Sequence, residues 1–156
     1  MRLYLIAVGT RMDAWVEAAY QEYARRMPAA CELHLIEVAA QKATKGSDPE
    51  RRKKLEGDRQ LVALPNKARV IALDERGREH DTLALSRQLA RWQEDGRDVA
   101  LLIGGADGLA PACRERADEV WSLSKLTFPH PLVRVIVAEQ LYRAWSVLNH
   151  HPYHRA

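Results

Sequence analysis

The sequence is poor in cysteine, with Cys31 and Cys113 as its two thiols among 156 residues. The two form no CxxC pair, and neither belongs to a cluster of cysteines and histidines. A thiol-based metal site needs several such ligands at close spacing, so we do not expect one here. The spacing instead predicts two buried free thiols.

Long apolar runs are absent as well. The longest candidates, residues 3–8 and 99–103, have the length of β-strands and fall far short of the roughly 20 residues that cross a bilayer. The N-terminal residues lead directly into Gly9 and Thr10 without a cleavable signal pattern. We therefore expect a cytoplasmic protein that does not bind membranes.

The motifs of the commonest nucleotide-binding and hydrolytic enzymes are also missing. GxGxxG, a P-loop ending in Gly-Lys-Ser/Thr, and GxSxG do not occur. A different glycine-rich loop, Gly104 and Gly105 followed by Gly108, comes directly after the apolar residues 99–103. Glycine there can make a tight turn or let the backbone approach a ligand closely, and both interpretations stay open.

The excess of positive charge is small, with a formal net charge of +3, although a sequence pI near 9.0 makes a nucleic-acid partner plausible. Residues 42–59 carry a local basic excess of seven basic over four acidic side chains: Lys42, Lys45, Arg51, Arg52, Lys53, Lys54 and Arg59 against Asp48, Glu50, Glu56 and Asp58. This segment is either a solvated helix surface or a contact for RNA.

What the sequence does contain is typical of one globular domain over residues 1–156, with 47% apolar and 29% charged residues. Strand-like and helix-like segments alternate along it. The predicted strands are residues 2–8, 32–38, 69–73, 99–103 and 121–123, and the predicted helices are 12–27, 47–64, 81–94, a short one from Pro111, and 132–149. Because residues 99–103 are apolar at every position, we predict an α/β fold with a parallel-rich sheet and helices on both faces.

The C-terminal region is unusual because four of the six histidines, His130, His150, His151 and His154, lie in its last 27 residues. Arginines and tyrosines accompany them, and Glu139 is the one acid there. Such an end is either a frayed terminus or a set of groups suited to base stacking, phosphate contact and proton transfer. No metal is expected, because no carboxylate or thiol stands beside the closing histidines, residues 150–154.

The last predicted helix, residues 132–149, is apolar on more than one side. A surface helix needs a single apolar stripe. The helix is therefore either central in the fold or part of a subunit interface.

Six segments, in order, resemble the ribosomal large-subunit pseudouridine N3-methyltransferase family, which belongs to the SPOUT class. They are AVGT at 7–10, LLIGG at 101–105, WSLS at 121–124, PHPLVR at 129–134, EQLYRAWS at 139–146 and HPYHR at 151–155. The resemblance spans nearly the whole chain. It implies an α/β fold with a C-terminal trefoil knot, a rare exception to the rule against threaded chains.

The resemblance also implies a homodimer that binds S-adenosylmethionine in the knot, without a metal. The substrate would be a pseudouridine in a stem-loop of large-subunit rRNA within the assembled ribosome. The implied cofactor site comprises Leu73, Gly104, Leu123, Ser124, Lys125, Leu126, Thr127 and Phe128. The implied catalytic residues are Arg143, Tyr153, His154 and Arg155.

In that chemistry His154 could accept the N3 proton, an arginine could stabilise the resulting anion, and Tyr153 could stack on the base. Which arginine does so is left open by the sequence. A rival hypothesis is a ribosome-associated binding protein that keeps the fold and has lost catalysis. The complete cofactor loop and the complete Tyr-His-Arg ending argue against that rival.

Overall fold

The computed structural model describes residues 1–155, and Ala156, the last residue of the predicted domain, lies outside the described part. Five strands form one sheet in the order β2-β1-β4-β3-β5, with every neighbouring pair parallel. The strands are β1 (Leu3–Val8), β2 (Leu33–Val38), β3 (Arg69–Glu79), β4 (Val99–Ile103) and β5 (Glu119–Ser122). All five therefore end at the same edge of the sheet.

Five α-helices connect or follow these strands: α1 (Ala14–Ala24), α2 (Pro49–Val62), α3 (Thr82–Asp95), α4 (Pro111–Arg116) and α5 (His130–Leu148). Local sequence explains several of their ends. Asp48 caps α2, with Pro49 at the first helical position. The Asp81 carboxylate accepts a hydrogen bond from the Ala84 N–H at 2.7 Å, and Gly96 ends α3 in the left-handed conformation at φ 79°.

Alternation along the central strands creates two apolar cores, one on each face of the sheet. On β1, Leu3, Leu5 and Ala7 pack with residues of α1, α3 and α5, whereas Ile6 points to the opposite face. That opposite face is covered by α2 and α4, and it includes the buried Cys113. Both cysteines are buried free thiols, as expected. The predicted α/β fold with helices on both faces is confirmed.

The broad apolar surface of α5 is explained by its central place. The helix packs against both α1 and α3 and lies on the sheet face of the larger core. Val137, Ala138 and Leu141 are almost fully buried there. Of the two interpretations of the apolar pattern, the central helix is the one that the structure shows.

Several predicted boundaries were wrong, including those of the first helix, which was predicted over residues 12–27 and spans Ala14–Ala24. The third strand does not end at Leu73 but continues to Glu79, with a change of register against β5 between Leu73 and Arg78. A Cβ atom on Gly77 would lie 2.6 Å from the backbone of Trp121, so only glycine lets the two strands run this close. The final helix begins at His130 rather than 132, because Pro131 is tolerated in a first turn. The last strand begins at Glu119 rather than 121.

Among residues 1–155, no helix is both long and apolar enough to cross a membrane.

Candidate functional site

A cavity of about 710 Å³ opens at the edge where the parallel strands end. Three chain segments line it, together with the first turn of α5 and Lys53 of α2: residues 73–76 of β3, the glycine-rich loop at 103–109, and the loop at 122–129. Ligands of open α/β sheets bind outside the carboxyl ends of the strands, because loops from several strands meet there. Its volume lies within the usual range of small-molecule sites, roughly 300 to 1,000 Å³.

Seven of the eight predicted cofactor residues line this cavity: Leu73, Gly104, Leu123, Ser124, Leu126, Thr127 and Phe128. Lys125 is exposed and does not line it. The sequence had placed Leu73 at a strand end, whereas β3 in fact leaves its partner β4 just before this residue. The cofactor role of these residues remains a prediction.

The glycine-rich loop needs its glycines for its own packing. A Cβ atom on Gly104 would lie 2.5 Å from the carbonyl carbon of Gly108, and one on Gly105 would lie 2.9 Å from the Val8 side chain. Gly108 has a φ of 91°, which other residues rarely adopt. The tight turn is therefore real, and substitution of Gly104 would distort the loop itself.

A part-buried ion pair ties this loop to α2. The Arg52 guanidinium donates to both carboxylate oxygens of Asp107, at 3.1 and 3.3 Å, and also to the carbonyl and hydroxyl oxygens of Ser47. The Arg52 side chain is only 13% exposed. This arginine of the basic segment thus holds an internal loop and is not part of a solvated surface.

Acidic groups stand at the rim, which sequence reasoning missed. Asp74 directly follows Leu73 and lines the cavity, and a hydrogen bond from Arg76 lowers its pKa despite partial burial. Arg114 also contacts the Asp74 carboxylate, at 3.3 Å. Glu75 accepts a hydrogen bond from the Thr127 hydroxyl at 3.2 Å, which joins β3 to the predicted cofactor loop.

His130, at the start of α5, forms another part of the cavity wall. Burial and then the charge of Arg134 lower the pKa of its imidazole. Arg134 is almost completely buried, where it pairs with Glu37 at 2.7 Å and donates to the carbonyl of Gly9 at 3.3 Å. The first turns of α5 are therefore attached to the ends of β1 and β2.

A second cavity, of about 370 Å³, lies between α3 and α5. It shares Leu73, Leu123 and Phe128 with the first, and Trp121 and Leu141 form part of its wall. The predicted cofactor loop, residues 123–128, thus lies between two cavities at the same edge of the sheet.

Two of the predicted catalytic residues meet around a residue that sequence reasoning had noted only as an acid. The Nε of Arg143 and the Tyr153 hydroxyl both donate to Oε1 of Glu139, each at 2.9 Å. The guanidinium carbon lies 4.9 Å from the centre of the Tyr153 ring. Burial and the Glu139 carboxylate raise the pKa of Tyr153, and the same carboxylate raises the pKa of Arg143.

The other two catalytic candidates are less well engaged. His154 is part-buried, and neither of its ring nitrogens has a hydrogen-bond partner among the described residues. Arg155 is exposed. The tail through Tyr153 nevertheless packs on α5, since the rings of Tyr153 and Tyr142 lie 4.7 Å apart. Of the two interpretations of the tail, the frayed terminus is therefore wrong for the part that ends at Tyr153.

Within one chain the tail cluster and the first cavity lie apart. His130 lines the cavity and Arg143 does not, and the helix between them rises about 20 Å at about 1.5 Å per residue. The four catalytic candidates are therefore not brought to the predicted cofactor residues of the same chain. Among residues 1–155, no group of three or more His, Cys, Asp or Glu side chains is arranged to hold a metal ion.

Comparison with known proteins agrees on one family. A family model described as a predicted SPOUT methyltransferase matches residues 1–154. A ribosomal RNA large subunit methyltransferase H of Thioalkalivibrio sulfidiphilus is 61% identical over 99% of this chain and 99% of its own length. The protein of the same name from Methylococcus capsulatus is 56% identical over 99% of this chain and 100% of its own.

Solved structures agree on the fold. A probable methylase family protein from Haemophilus influenzae matches 99% of this chain and 70% of its own, with a TM-score of 0.57 at 12% identity. A putative methylase family protein from Neisseria gonorrhoeae matches 97% of this chain and 95% of its own, with a TM-score of 0.54 at 13% identity. At these identities the likeness concerns the fold alone, and it is consistent with the expected C-terminal knot.

Proposed function

The chain belongs to the SPOUT methyltransferase family, and from this premise we propose that it transfers a methyl group from S-adenosylmethionine to N3 of a pseudouridine in a stem-loop of large-subunit rRNA. The observation that carries the proposal is the identity of 61% over 99% of the chain to a relative named for methylation of that RNA. We infer further that the substrate is the assembled ribosome, that the whole chain acts as one domain, and that it works in the cytoplasm, where ribosomes are.

The first cavity fits the proposed cofactor. Its volume of about 710 Å³ suits a nucleoside-sized molecule. Leu73, Leu123 and Phe128 supply apolar contact for an adenine ring, and the backbone of the loop at 122–128 supplies hydrogen-bonding groups. Asp74 is paired with Arg76 and Arg114, and Lys53 also lines the wall, so the support for this cofactor comes from the shape and the apolar lining of the cavity rather than from its charge. When bound, the cofactor supplies an activated methyl group on a positively charged sulfur.

The protein's part in such a transfer is to position and deprotonate the acceptor base. Displacement at the methyl carbon requires alignment of the attacking nitrogen, and orientation accounts for much of the rate enhancement in such reactions. The N3 proton must leave, and we assign its acceptance to His154. Arg143 or Arg155 stabilises the developing negative charge, and Tyr153 stacks on the base or orients it.

We propose that the active form is a homodimer in which each site takes its cofactor residues from one chain and its catalytic tail from the other. The separation of about 20 Å between His130 and Arg143 along α5 supports this arrangement, because one chain alone keeps the two groups apart. The apolar breadth of α5 no longer supports it by itself, since α1 and α3 account for most of that surface.

The rival hypothesis, a ribosome-binding protein without catalysis, would need neither the cavity nor the anchored tail. Retention of both favours the enzyme. Binding of S-adenosylmethionine to the purified protein separates the two hypotheses.

The proposed cofactor site is best tested by a substitution that fills the first cavity. A side chain at Gly104, as in Gly104→Val, would distort the glycine-rich loop itself and so would not test the site cleanly. Ala106 is exposed and lines the cavity, so Ala106→Trp should fill it and abolish calorimetric binding of S-adenosylmethionine together with methyl transfer to ribosomes. Ala112→Trp, at an exposed position of α4 away from the cavity, is the matched control and should bind normally. Unchanged affinity of Ala106→Trp for S-adenosylmethionine would show that the cofactor does not bind in this cavity.

A further inference from the structure

One carboxylate joins the two best-placed catalytic candidates. Oε1 of Glu139 accepts hydrogen bonds from Nε of Arg143 and from the Tyr153 hydroxyl, both at 2.9 Å, and Nη2 of Arg143 lies 2.7 Å from the same oxygen in an ion pair. Arg143 is one helical turn beyond Glu139 on α5, whereas Tyr153 lies past the helix end. The Glu139 carboxylate thus connects the tail to α5 through a charge-assisted hydrogen bond from Tyr153.

The carboxylate is itself held in place from the other side. Its Oε2 accepts a hydrogen bond from Nε2 of Gln140 at 2.8 Å, and Oε1 of Gln140 accepts one from the Thr82 hydroxyl at 2.8 Å. Thr82 begins α3. The chain of hydrogen bonds therefore runs from the start of α3 to the tail, and the Glu139 side chain is only 18% exposed.

We propose that Glu139 is a positioning residue for methyl transfer: it sets the Arg143 guanidinium against the Tyr153 ring and holds both in one arrangement before the RNA arrives. This inference rests on the proposed function. Glu139 itself lines neither cavity, and we do not expect it to contact the base. It acts through the two side chains it fastens, which removes the conformational entropy of a mobile tail from the activation barrier.

The geometry favours this role over a purely stabilising surface ion pair. An exposed i to i+4 ion pair contributes little to stability and would need no third partner. Here the third partner, Tyr153, comes from a segment beyond the helix. Hydrogen bonds to a charged acceptor are stronger than neutral ones, so the phenol is held more firmly than packing against Tyr142 alone would hold it.

The test is Glu139→Gln, which keeps the shape of the side chain and removes its charge. We expect kcat for ribosome methylation to fall roughly 10- to 100-fold, since small errors in alignment have effects of that size. Cofactor affinity should stay within about 2-fold, because the cavity is lined by other residues. Glu115→Gln, on an exposed position of α4, is the matched control and should behave as the unmodified protein.

A second readout reports on the contact itself. Spectrophotometric titration is done on each protein with and without the Tyr153→Phe substitution. The difference between the two curves gives the titration of the Tyr153 phenol, whose pKa lies above the ordinary 10.0. In Glu139→Gln this phenol should titrate at lower pH than in the unmodified protein. Tyr153→Phe alone removes the same contact without altering α5, so it tests the inference even if Glu139→Gln folds poorly.

Unmodified kcat in Glu139→Gln, or an unmoved phenol titration, overturns the positioning role. The positioning role is also overturned if Glu139→Gln lowers kcat as much in the Tyr153→Phe protein as it does in the unmodified protein, because the effects of the two changes should not be independent. A failure of the proposed function is distinguishable: the unmodified protein itself would then transfer no methyl group to ribosomes, while the phenol titration would still test the Glu139 contact.

Discussion

His130 and His154 have contrasting surroundings at the scale of the single residue. His130 stands in the cavity wall beside the buried Arg134, and burial and that charge favour its neutral form. His154 lies in the tail with two nitrogens that no described residue engages. An imidazole awaiting a proton from a substrate needs an unoccupied nitrogen, so the surroundings of His154 suit the acceptor role assigned to it.

The lowered pKa of His130 predicts a pH effect on stability. Its folded-state pKa is below the ordinary 6.5, so the unfolded chain binds more protons at and below that pH, and the free energy of unfolding should fall as pH drops below about 6.5. Urea denaturation at pH 7.5 and 5.5 should show a smaller drop in His130→Asn than in the unmodified protein. The exposed His150→Asn is the control. An equal drop in all three proteins would contradict the assignment.

The tail side chains should matter for turnover and not for cofactor binding. His154→Ala should lower methylation of ribosomes by roughly 10²-fold or more if His154 accepts the proton. Arg155→Ala should also lower it, while calorimetric affinity for S-adenosylmethionine persists in both, because neither residue lines the cavity. Turnover at the unmodified rate in both variants would show that His154 and Arg155 are not catalytic residues.

At the scale of the element, the glycine-rich loop depends on a residue of α2. Arg52→Ala removes both hydrogen bonds to Asp107 and leaves a part-buried carboxylate without its partner. We expect a weaker affinity for S-adenosylmethionine, by roughly 10-fold for a loss near 1.4 kcal/mol. Arg51→Ala, the exposed neighbour, is the control. Calorimetry that gives equal affinity for both variants would show that the loop holds its shape without the ion pair.

Most elements could be predicted from the sequence because their signals are local. Residues 99–103 are apolar throughout and form the central strand β4, and Asp48 with Pro49 begins α2. The extension of β3 to Glu79 could not be predicted in this way, since it depends on Gly77 meeting the backbone of a strand over forty residues later. The knot likewise followed from resemblance, because threading leaves no period in a sequence.

The candidate site divides similarly. The cofactor residues were predicted by resemblance, and seven of them meet in one cavity because parallel strands end at one edge. His130 was missed as a wall residue because two prolines beside it indicated a break before α5 and not its first turn. The bridging role of Glu139 has no sequence signal, since its partner Tyr153 approaches only after the chain turns back past Asn149.

For the whole molecule, the proposed division of the active site needs two chains. Light scattering at micromolar concentration should give twice 17.7 kDa. A monomer at that concentration would contradict the proposed division of the site.

Subunit mixing tests the same division functionally. A chain lacking residues 153–156 keeps its cavity, and Ala106→Trp keeps its tail. Each homodimer should be inactive, but co-expressed mixed dimers should regain activity, because one of their two sites combines an intact cavity with an intact tail from the other chain. Mixed dimers that stay inactive would indicate that each chain builds its own site.

Mass mapping of large-subunit rRNA from cells that lack this protein tests the proposed methylation of one pseudouridine. We expect a single pseudouridine in a stem-loop to lose one methyl group from N3, and we expect the unmodified gene to restore it while the Ala106→Trp form does not. An unchanged methylation pattern in the RNA of the deletion strain would show that the protein does not methylate this RNA.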